Sequence, residues 1–194
     1  MSTKEEILSR YRSNVKVKFD MPTLDDINAI RYEDPLKQFI SMSESVGGKA
    51  IEVEEGADLN AIIKGLFPEA KEFASNLPEI TISTRNPDTV ESAQALNGTD
   101  VGIIRGVFGV AENGCIWIPQ TMKQKAVCFI SENLVILLPK KEIVNNMHEA
   151  YKRVEFNDYG YGTFISGPSK TADIAQVLVM GAQAARSVTI LLLP

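Results

Sequence analysis

Alternating apolar runs and helix-like segments in the C-terminal half of the chain constrain the fold more than any other feature. The longest apolar runs are residues 134–138 and residues 188–193, the second interrupted only by Thr189. Both are far shorter than the ~20 residues that span a bilayer, so they predict buried strands. Helical periodicity marks residues 140–154 and 169–180, and residues 162–165 form a strand-like run between them. This order predicts an α/β fold with a largely parallel sheet.

The upstream half continues the same alternation. It predicts helices that begin at Pro35 and after Asp58, strands over residues 49–53 and 79–83, and short glycine-interrupted β-type runs over 101–118.

The first 34 residues do not continue this alternation of helices and strands. A capping pattern predicts a helix to about Arg12, and the following residues lack periodicity. We therefore expect an N-terminal helix and extended arm over 1–34, followed by a single α/β domain over 35–194.

Charge and cysteine usage exclude several classes of function. The net charge of -5 comes without a basic stripe, which argues against nucleic-acid binding. The polar N-terminus lacks the apolar region of a signal peptide and predicts a cytoplasmic protein without a membrane span. Two cysteines without CxxC spacing and a single histidine predict no metal or iron-sulfur centre in this chain. The histidine, His148, lies on the flank of a predicted helix and is expected at the surface.

One candidate binding segment is a predicted strand that breaks at a Gly-Pro pair and re-enters as a helix. Backbone N–H groups at such a helix start can hold a carboxylate or phosphate. A helix cap without any ligand explains the pattern equally well. The residues concerned are Gly167, Pro168, Ser169, Lys170, Thr171 and Asp173.

The second candidate segment is the turn Ala111-Glu112-Asn113-Gly114 between two β-type runs. A carboxylate held on such a turn can act as a general base or a nucleophile, so Glu112 is the candidate catalytic residue, with Asn113 and Gly114 as ligand-binding neighbours. Asn-Gly is also a strong hairpin signal, which leaves a solvated surface turn as the alternative.

At these residues the chain resembles the LUD-domain family, of the lactate-utilisation protein C type. The resemblance covers roughly residues 99–194 and is carried by the strings FISGPSKTADIAQVLVMGAQAARSVTILLLP, FGVAENGCIWIP and NLVILLPKKEIV. It implies a fold of the NagB/RpiA/CoA-transferase type, with helices on both faces of the sheet. It also implies a part in L-lactate oxidation to pyruvate alongside iron-sulfur partner proteins, this chain being the component without cofactor.

The chain departs from the family pattern in two places. Residues 111–115 read AENGC where relatives usually read AETGT, which keeps the glutamate and glycine. Residues 181–186 read GAQAAR in place of a GxHGP pattern, so Gln183 stands in a segment without the histidine. An amide can form hydrogen bonds but cannot shuttle a proton at neutral pH.

Two further readings remain open. The AENG turn also resembles the turn that carries the catalytic glutamate of CoA-transferases, which would make Glu112 the nucleophile that attacks an acyl-CoA. A non-catalytic scaffold subunit is the other alternative. Whether Glu112 acts as a general base or as a nucleophile, we expect it to share a cleft with the Gly167 turn at the carboxyl ends of the strands.

Overall fold

Helices and strands alternate along most of the chain. The structure, a computed structural model, describes residues 3–17, 28–171, 179–182 and 184–194. Among these residues the helices are α1 (Thr3–Asn14), α2 (Pro35–Ser45), α3 (Leu59–Leu66), α4 (Val127–Ile130) and α5 (Met147–Lys152), with a 3-10 turn at Ala93–Leu96. The strands are β1 (Lys49–Glu52), β2 (Phe73–Ala74), β3 (Val101–Arg105), β4 (Phe108–Val110), β5 (Ile116–Pro119), β6 (Asn133–Pro139), β7 (Ile143–Val144), β8 (Gly162–Ile165), β9 (Lys170–Thr171), β10 (Val179–Met180) and β11 (Ser187–Leu193).

A parallel sheet forms the centre of the molecule. It contains five of the described strands in the order β1-β11-β6-β3-β2, and every neighbouring pair is parallel. The two apolar runs become β6 and β11, which pair along their full lengths. The predicted α/β fold with a largely parallel sheet is therefore confirmed.

Both faces of the sheet are covered, because alternate residues of each strand point to opposite sides. On one face Ile136 belongs to a buried cluster with Phe39 of α2, and on the other Leu137 belongs to a cluster with Ile63 of α3. Complete burial of one such side chain contributes about 1.5–3 kcal/mol. Helices on both faces, as the resemblance implied, are confirmed.

The structure contains a second sheet, whereas the sequence predicted a single one. Four described strands form it in the order β7-β4-β5-β8. The chain leaves the central sheet at Gly106, between β3 and β4, where a Cβ atom would collide with the side chain of Ile116. The glycine thus allows the close approach of β5.

Residues 79–83 do not form the predicted strand. They lie in turns whose backbone is held by Asn60, which accepts from Thr81 N at 2.9 Å and donates to Glu79 O at 3.0 Å. Ile80 is buried in the core under this loop. The apolar pattern of residues 79–83 therefore reflects the burial of a loop side chain and not the pairing of a strand. The edge strand is instead β2.

The predicted helix over residues 140–154 is also wrong in its first half. Residues 143–144 form β7, which pairs with β4, and the helix α5 begins only at Met147. Asn146 caps it, because its side chain accepts from Glu149 N at 3.0 Å. An edge pairing available only in the folded molecule therefore overrides the helical periodicity.

The N-terminal helix is confirmed and runs two residues beyond the predicted end, as α1. None of its residues is buried, and Ile7 and Tyr11 are both more than half exposed. In the described part of the chain, helices that combine the length and the apolar character needed for a membrane span are absent.

Candidate functional site

The turn after β4 and the turn after β8 carry most of the predicted site residues, and the fold brings them together. Strands β4 and β8 both run antiparallel to β5, so they run in the same direction and their carboxyl ends lie at the same end of the second sheet. There the Oγ of Ser166 donates a 2.8 Å hydrogen bond to the carbonyl oxygen of Asn113. The two turns are therefore adjacent in the fold, while a shared cleft between them stays a prediction.

The C-terminal end of α2 packs against both turns. Gly114 has a φ of +66°, and a Cβ atom there would lie 3.0 Å from the backbone nitrogen of Ser43. Gly167 has a φ of +63°, and its Cβ atom would lie 2.7 Å from the carbonyl oxygen of Val46. Both glycines are therefore required by the left-handed backbone and by the close approach of α2.

The position of this junction on the central sheet differs from the prediction. A Cβ atom at Gly48, which precedes β1, would lie 3.7 Å from the Cα of Gly167. Ser169 N donates at 2.9 Å to the carbonyl oxygen of Ala185, which precedes β11. The Gly167 turn therefore lies at the amino ends of two parallel strands. The expectation of carboxyl ends was wrong because β8 belongs to the second sheet, to which the parallel-sheet rule does not apply.

The helix predicted to begin at Ser169 does not begin there. Lys170 and Thr171 form β9 and pair antiparallel with β10, and Gly181 N donates to the carbonyl oxygen of Ser169 at 2.9 Å. The predicted helix start, with its free N–H groups, is therefore replaced by a hairpin ladder. Asp173 lies outside the described residues, as does Gln183.

The helix end that packs against the Gly167 turn carries partial negative charge. The carbonyl oxygen of Val46 belongs to the C-terminal end of α2, where the helix dipole places partial negative charge. Lys170 is exposed and lies close to this end, with its Cε 3.8 Å from where a Cβ of Gly47 would be. Pro168 is buried beside it. Anion binding by Gly167, Pro168, Ser169, Lys170 and Thr171 stays a prediction, without the helix start that motivated it.

Glu112 is exposed, and its carboxylate is engaged. Its Oε2 accepts a 2.9 Å hydrogen bond from Met147 N, at the start of α5. Its backbone nitrogen donates to the carbonyl oxygen of Asn145 at 3.0 Å. A carboxylate in this position stabilises the helix start through the hydrogen bond and the dipole.

The sequence reasoning missed the polar cluster around Glu112, which we call the Asn145 cluster: Asn145, Asn146 and Glu149. Asn145 Oδ1 accepts from Tyr32 N at 2.9 Å, and Asn146 Nδ2 donates to Ile30 O at 2.8 Å. The cluster therefore fastens the described end of the N-terminal arm to α5. The signal that could have found it is Asn146 followed three residues later by Glu149, which is a capping pattern.

Both cysteines are buried as free thiols. Burial raises the pKa of Cys115 and of Cys128 to about 12, so both remain protonated thiols. Within the described ranges, His, Cys, Asp and Glu side chains form no group of three that could hold a metal ion. His148 is exposed, as predicted.

Comparison with known proteins identifies the family. The model of the LUD domain matches residues 36–193, which is more than half of the chain. Lactate utilization protein C of Anoxybacillus flavithermus (strain DSM 21510 / WK1) is 32% identical over 101 residues, covering 51% of this chain and 44% of that protein. The match thus spans less than half the length of this relative.

The crystal structure of a DUF162 family protein from Deinococcus radiodurans has a similar fold. It superposes with a TM-score of 0.63 at 15% sequence identity, covering 86% of this chain and 100% of that chain. The resemblance carried by the two turns and by the apolar runs is confirmed: the chain belongs to the LUD domain family.

Proposed function

We propose that this chain is a component of a lactate-utilisation system that oxidises L-lactate to pyruvate together with iron-sulfur partner proteins. The observation that carries the proposal is the similarity to a lactate utilization protein C within the LUD domain. Domain family alone does not define chemistry, so the role of this chain is argued from its own residues.

The geometry around Glu112 supports a non-catalytic contribution over glutamyl chemistry. A nucleophilic glutamate needs a carboxylate oxygen that can reach the acyl group, and N–H donors that are free to stabilise the developing oxyanion. Here Met147 N donates to Oε2, one of the two carboxylate oxygens, and holds it at the start of α5. Four N–H groups of residues 111–115 also have acceptors: Ala111 N donates to Val144 O, Glu112 N to Asn145 O, Gly114 N to Val110 O and Cys115 N to Asn113 Oδ1.

The chemistry of the two thiols supports the assignment of the redox centres to partners. Iron-sulfur clusters are held by cysteine thiolates, commonly four. Cys115 and Cys128 are the two cysteines of this sequence, and burial raises the pKa of each to about 12. Electrons from lactate would therefore pass to clusters on other subunits.

A growth assay tests the proposal. We expect deletion of the gene to abolish growth on L-lactate as sole carbon source and to leave growth on pyruvate unchanged. Wild-type protein should restore growth, and so should Glu112→Gln, because an amide oxygen can still accept from Met147 N. A deletion strain that grows normally on lactate would refute the assigned pathway.

The catalytic alternative has its own readout. If Glu112→Gln folds normally but fails to restore growth, Glu112 takes part in chemistry. Incubation with an acyl-CoA and borohydride, followed by mass spectrometry, then distinguishes its roles, because only a nucleophilic Glu112 yields a modified peptide.

The partners are tested by purifying the tagged chain from cells grown on lactate. We expect co-purification of proteins that contain iron and acid-labile sulfide, and lactate-dependent dye reduction by that complex. The chain prepared alone should not reduce the dye. Lactate turnover by the isolated chain would contradict the assignment of the redox chemistry to partners.

A further inference from the structure

A cavity of about 620 Å³ lies where β5 leaves the second sheet, away from the two motif turns. Its walls include Lys123, Lys125, Gln120, Phe129, Ile130 and Tyr159. We propose that it binds a small organic anion with an apolar, ring-bearing body. The volume is typical of small-molecule sites, and the wall combines apolar side chains with a few polar groups, as such sites do.

The apolar part of the wall is anchored to the core. Phe129 and Ile130 are partly buried and pack against the main hydrophobic cluster, so the faces they leave open are fixed in position. Tyr159 adds an aromatic ring that is 51% exposed. An aromatic body in the cavity would cover these surfaces and could stack on the ring.

The charged part of the wall is cationic and unneutralised. Neither Lys123 nor Lys125 forms an ion pair with any residue in the described ranges. The Nζ of Lys125 lies 3.7 Å from the centroid of the Tyr161 ring, a cation–π contact that holds the ammonium group in place. Asp88 lies close to Lys123, and its carboxylate accepts from Lys123 N and from Asn76 Nδ2. A ligand anion is therefore the group that would complement both lysines.

The loop that presents the lysines is held rigidly. Gln120 is 8% exposed, and its Nε2 donates to Met122 O at 2.9 Å and to Lys123 O at 3.2 Å. The two carbonyl groups fix which end of the amide is nitrogen. Its Oε1 accepts no hydrogen bond from the described part of the chain, which leaves an acceptor for an N–H or O–H of the ligand. Such preorganisation lowers the entropic cost of binding.

Calorimetry with 1-naphthalenesulfonate tests the proposal, with neutral 1-naphthalenesulfonamide and inorganic sulfate as comparison probes. We expect the sulfonate to bind and the sulfonamide to have an affinity at least about tenfold lower. Sulfate should not bind measurably. Backbone amide signals of Lys125 and Phe129 should shift on titration with the sulfonate. Absence of sulfonate binding, or equal binding of the neutral probe, would overturn the proposal.

A double variant assigns the binding to the two lysines. Lys123→Gln with Lys125→Gln should weaken sulfonate binding by about tenfold or more. The matched control is Lys64→Gln with Lys141→Gln, which removes two exposed lysines outside the cavity and should leave binding unchanged. Thermal unfolding checks that both variants fold. If the cavity variant does not fold, the salt dependence of the wild type replaces it, because added NaCl must weaken sulfonate binding to the lysines. The assignment is refuted if the folded variant binds sulfonate as tightly as the wild type, or if NaCl leaves the wild-type affinity unchanged.

Discussion

Ser166 and Asn113 lie 53 positions apart in sequence and are joined by a 2.8 Å hydrogen bond from the serine Oγ to the asparagine carbonyl oxygen. This bond connects the turn after β8 to the turn after β4. Both turns pack on the C-terminal end of α2 through a glycine of positive φ. The junction therefore couples the second sheet to a helix that covers the central sheet, and its contacts can be tested one at a time.

Removal of the linking hydroxyl should weaken the junction. Ser166→Ala is expected to lower the free energy of unfolding by about 0.5–1.5 kcal/mol, the usual contribution of one hydrogen bond. Urea denaturation measures the change. Ser92→Ala is the control, because Ser92 makes no side-chain cap bond and is also exposed. Equal effects of the two variants would argue against a stabilising role of the bond.

A pair of glycines separates backbone strain from steric contact. Gly160 and Gly167 have nearly the same φ, +62° and +63°, but a Cβ at Gly160 meets nothing within 4 Å. Gly160→Ala should therefore cost about 1–2 kcal/mol, from the left-handed conformation alone. Gly167→Ala should cost a further ~1–3 kcal/mol, because Val46 must move. Similar losses in thermal or urea unfolding would contradict the packing against α2.

Stability measurements test the capping role of Glu112. Glu112→Ala removes the acceptor for Met147 N and should cost about 0.5–1.5 kcal/mol, as loss of a helix cap does. Glu112→Gln keeps an acceptor oxygen and should stay within about 0.5 kcal/mol of the wild type. Glu91→Ala, another exposed glutamate, serves as the control. If Glu112→Ala were neutral, the carboxylate would have no structural role.

Asp100 should make stability depend on acid pH. Hydrogen bonds from the backbone N–H of Glu72, and then from that of Lys71, hold the pKa of this carboxyl below its ordinary 3.8. Its folded pKa is depressed, so its contribution is present above that ordinary value and is lost as pH falls through the folded pKa. The stability advantage of wild type over Asp100→Asn should therefore shrink as pH falls from about 5 to about 2. A difference that stays constant with pH would contradict this assignment.

The two thiols should be unreactive in the folded protein. Burial raises the pKa of Cys115 and of Cys128 to about 12, so the thiolate fraction near pH 8 falls roughly a thousandfold below that of an exposed cysteine. Alkylation with iodoacetamide, followed by mass spectrometry, should modify neither residue until denaturant is added. Rapid alkylation of either thiol under native conditions would show that its surroundings are open.

Local patterns predicted what depends on neighbouring residues. The start of α2 follows from Asp34, which accepts from Lys37 N at 3.0 Å, and from the proline at its first position. The start of α3 follows in the same way from Asp58, which accepts from Asn60 N at 2.9 Å. The apolar runs identified β6 and β11, because a strand buried on both faces is apolar at nearly every position.

The errors occur where distant residues provide the backbone partners. The pattern of residues 143–144 suits a helix, but β4 of the second sheet offers them a parallel pairing. Likewise Ser169 donates to Ala185 O, an acceptor from a segment that only the folded chain brings close. Local propensity amounts to a few tenths of a kcal/mol per residue, so such pairings override it.

The fold class, the family motifs and the residues that make them up can be read from the chain, because apolar periodicity, caps and glycine turns act over a few positions. The contacts of those residues depend on the folded molecule. Sheet order brings Asn113 to Ser166 at the amino ends of β1 and β11, and the start of α5 engages Glu112 through Met147 N. Contacts of this kind depend on the packing of whole elements against one another, which no window of sequence contains.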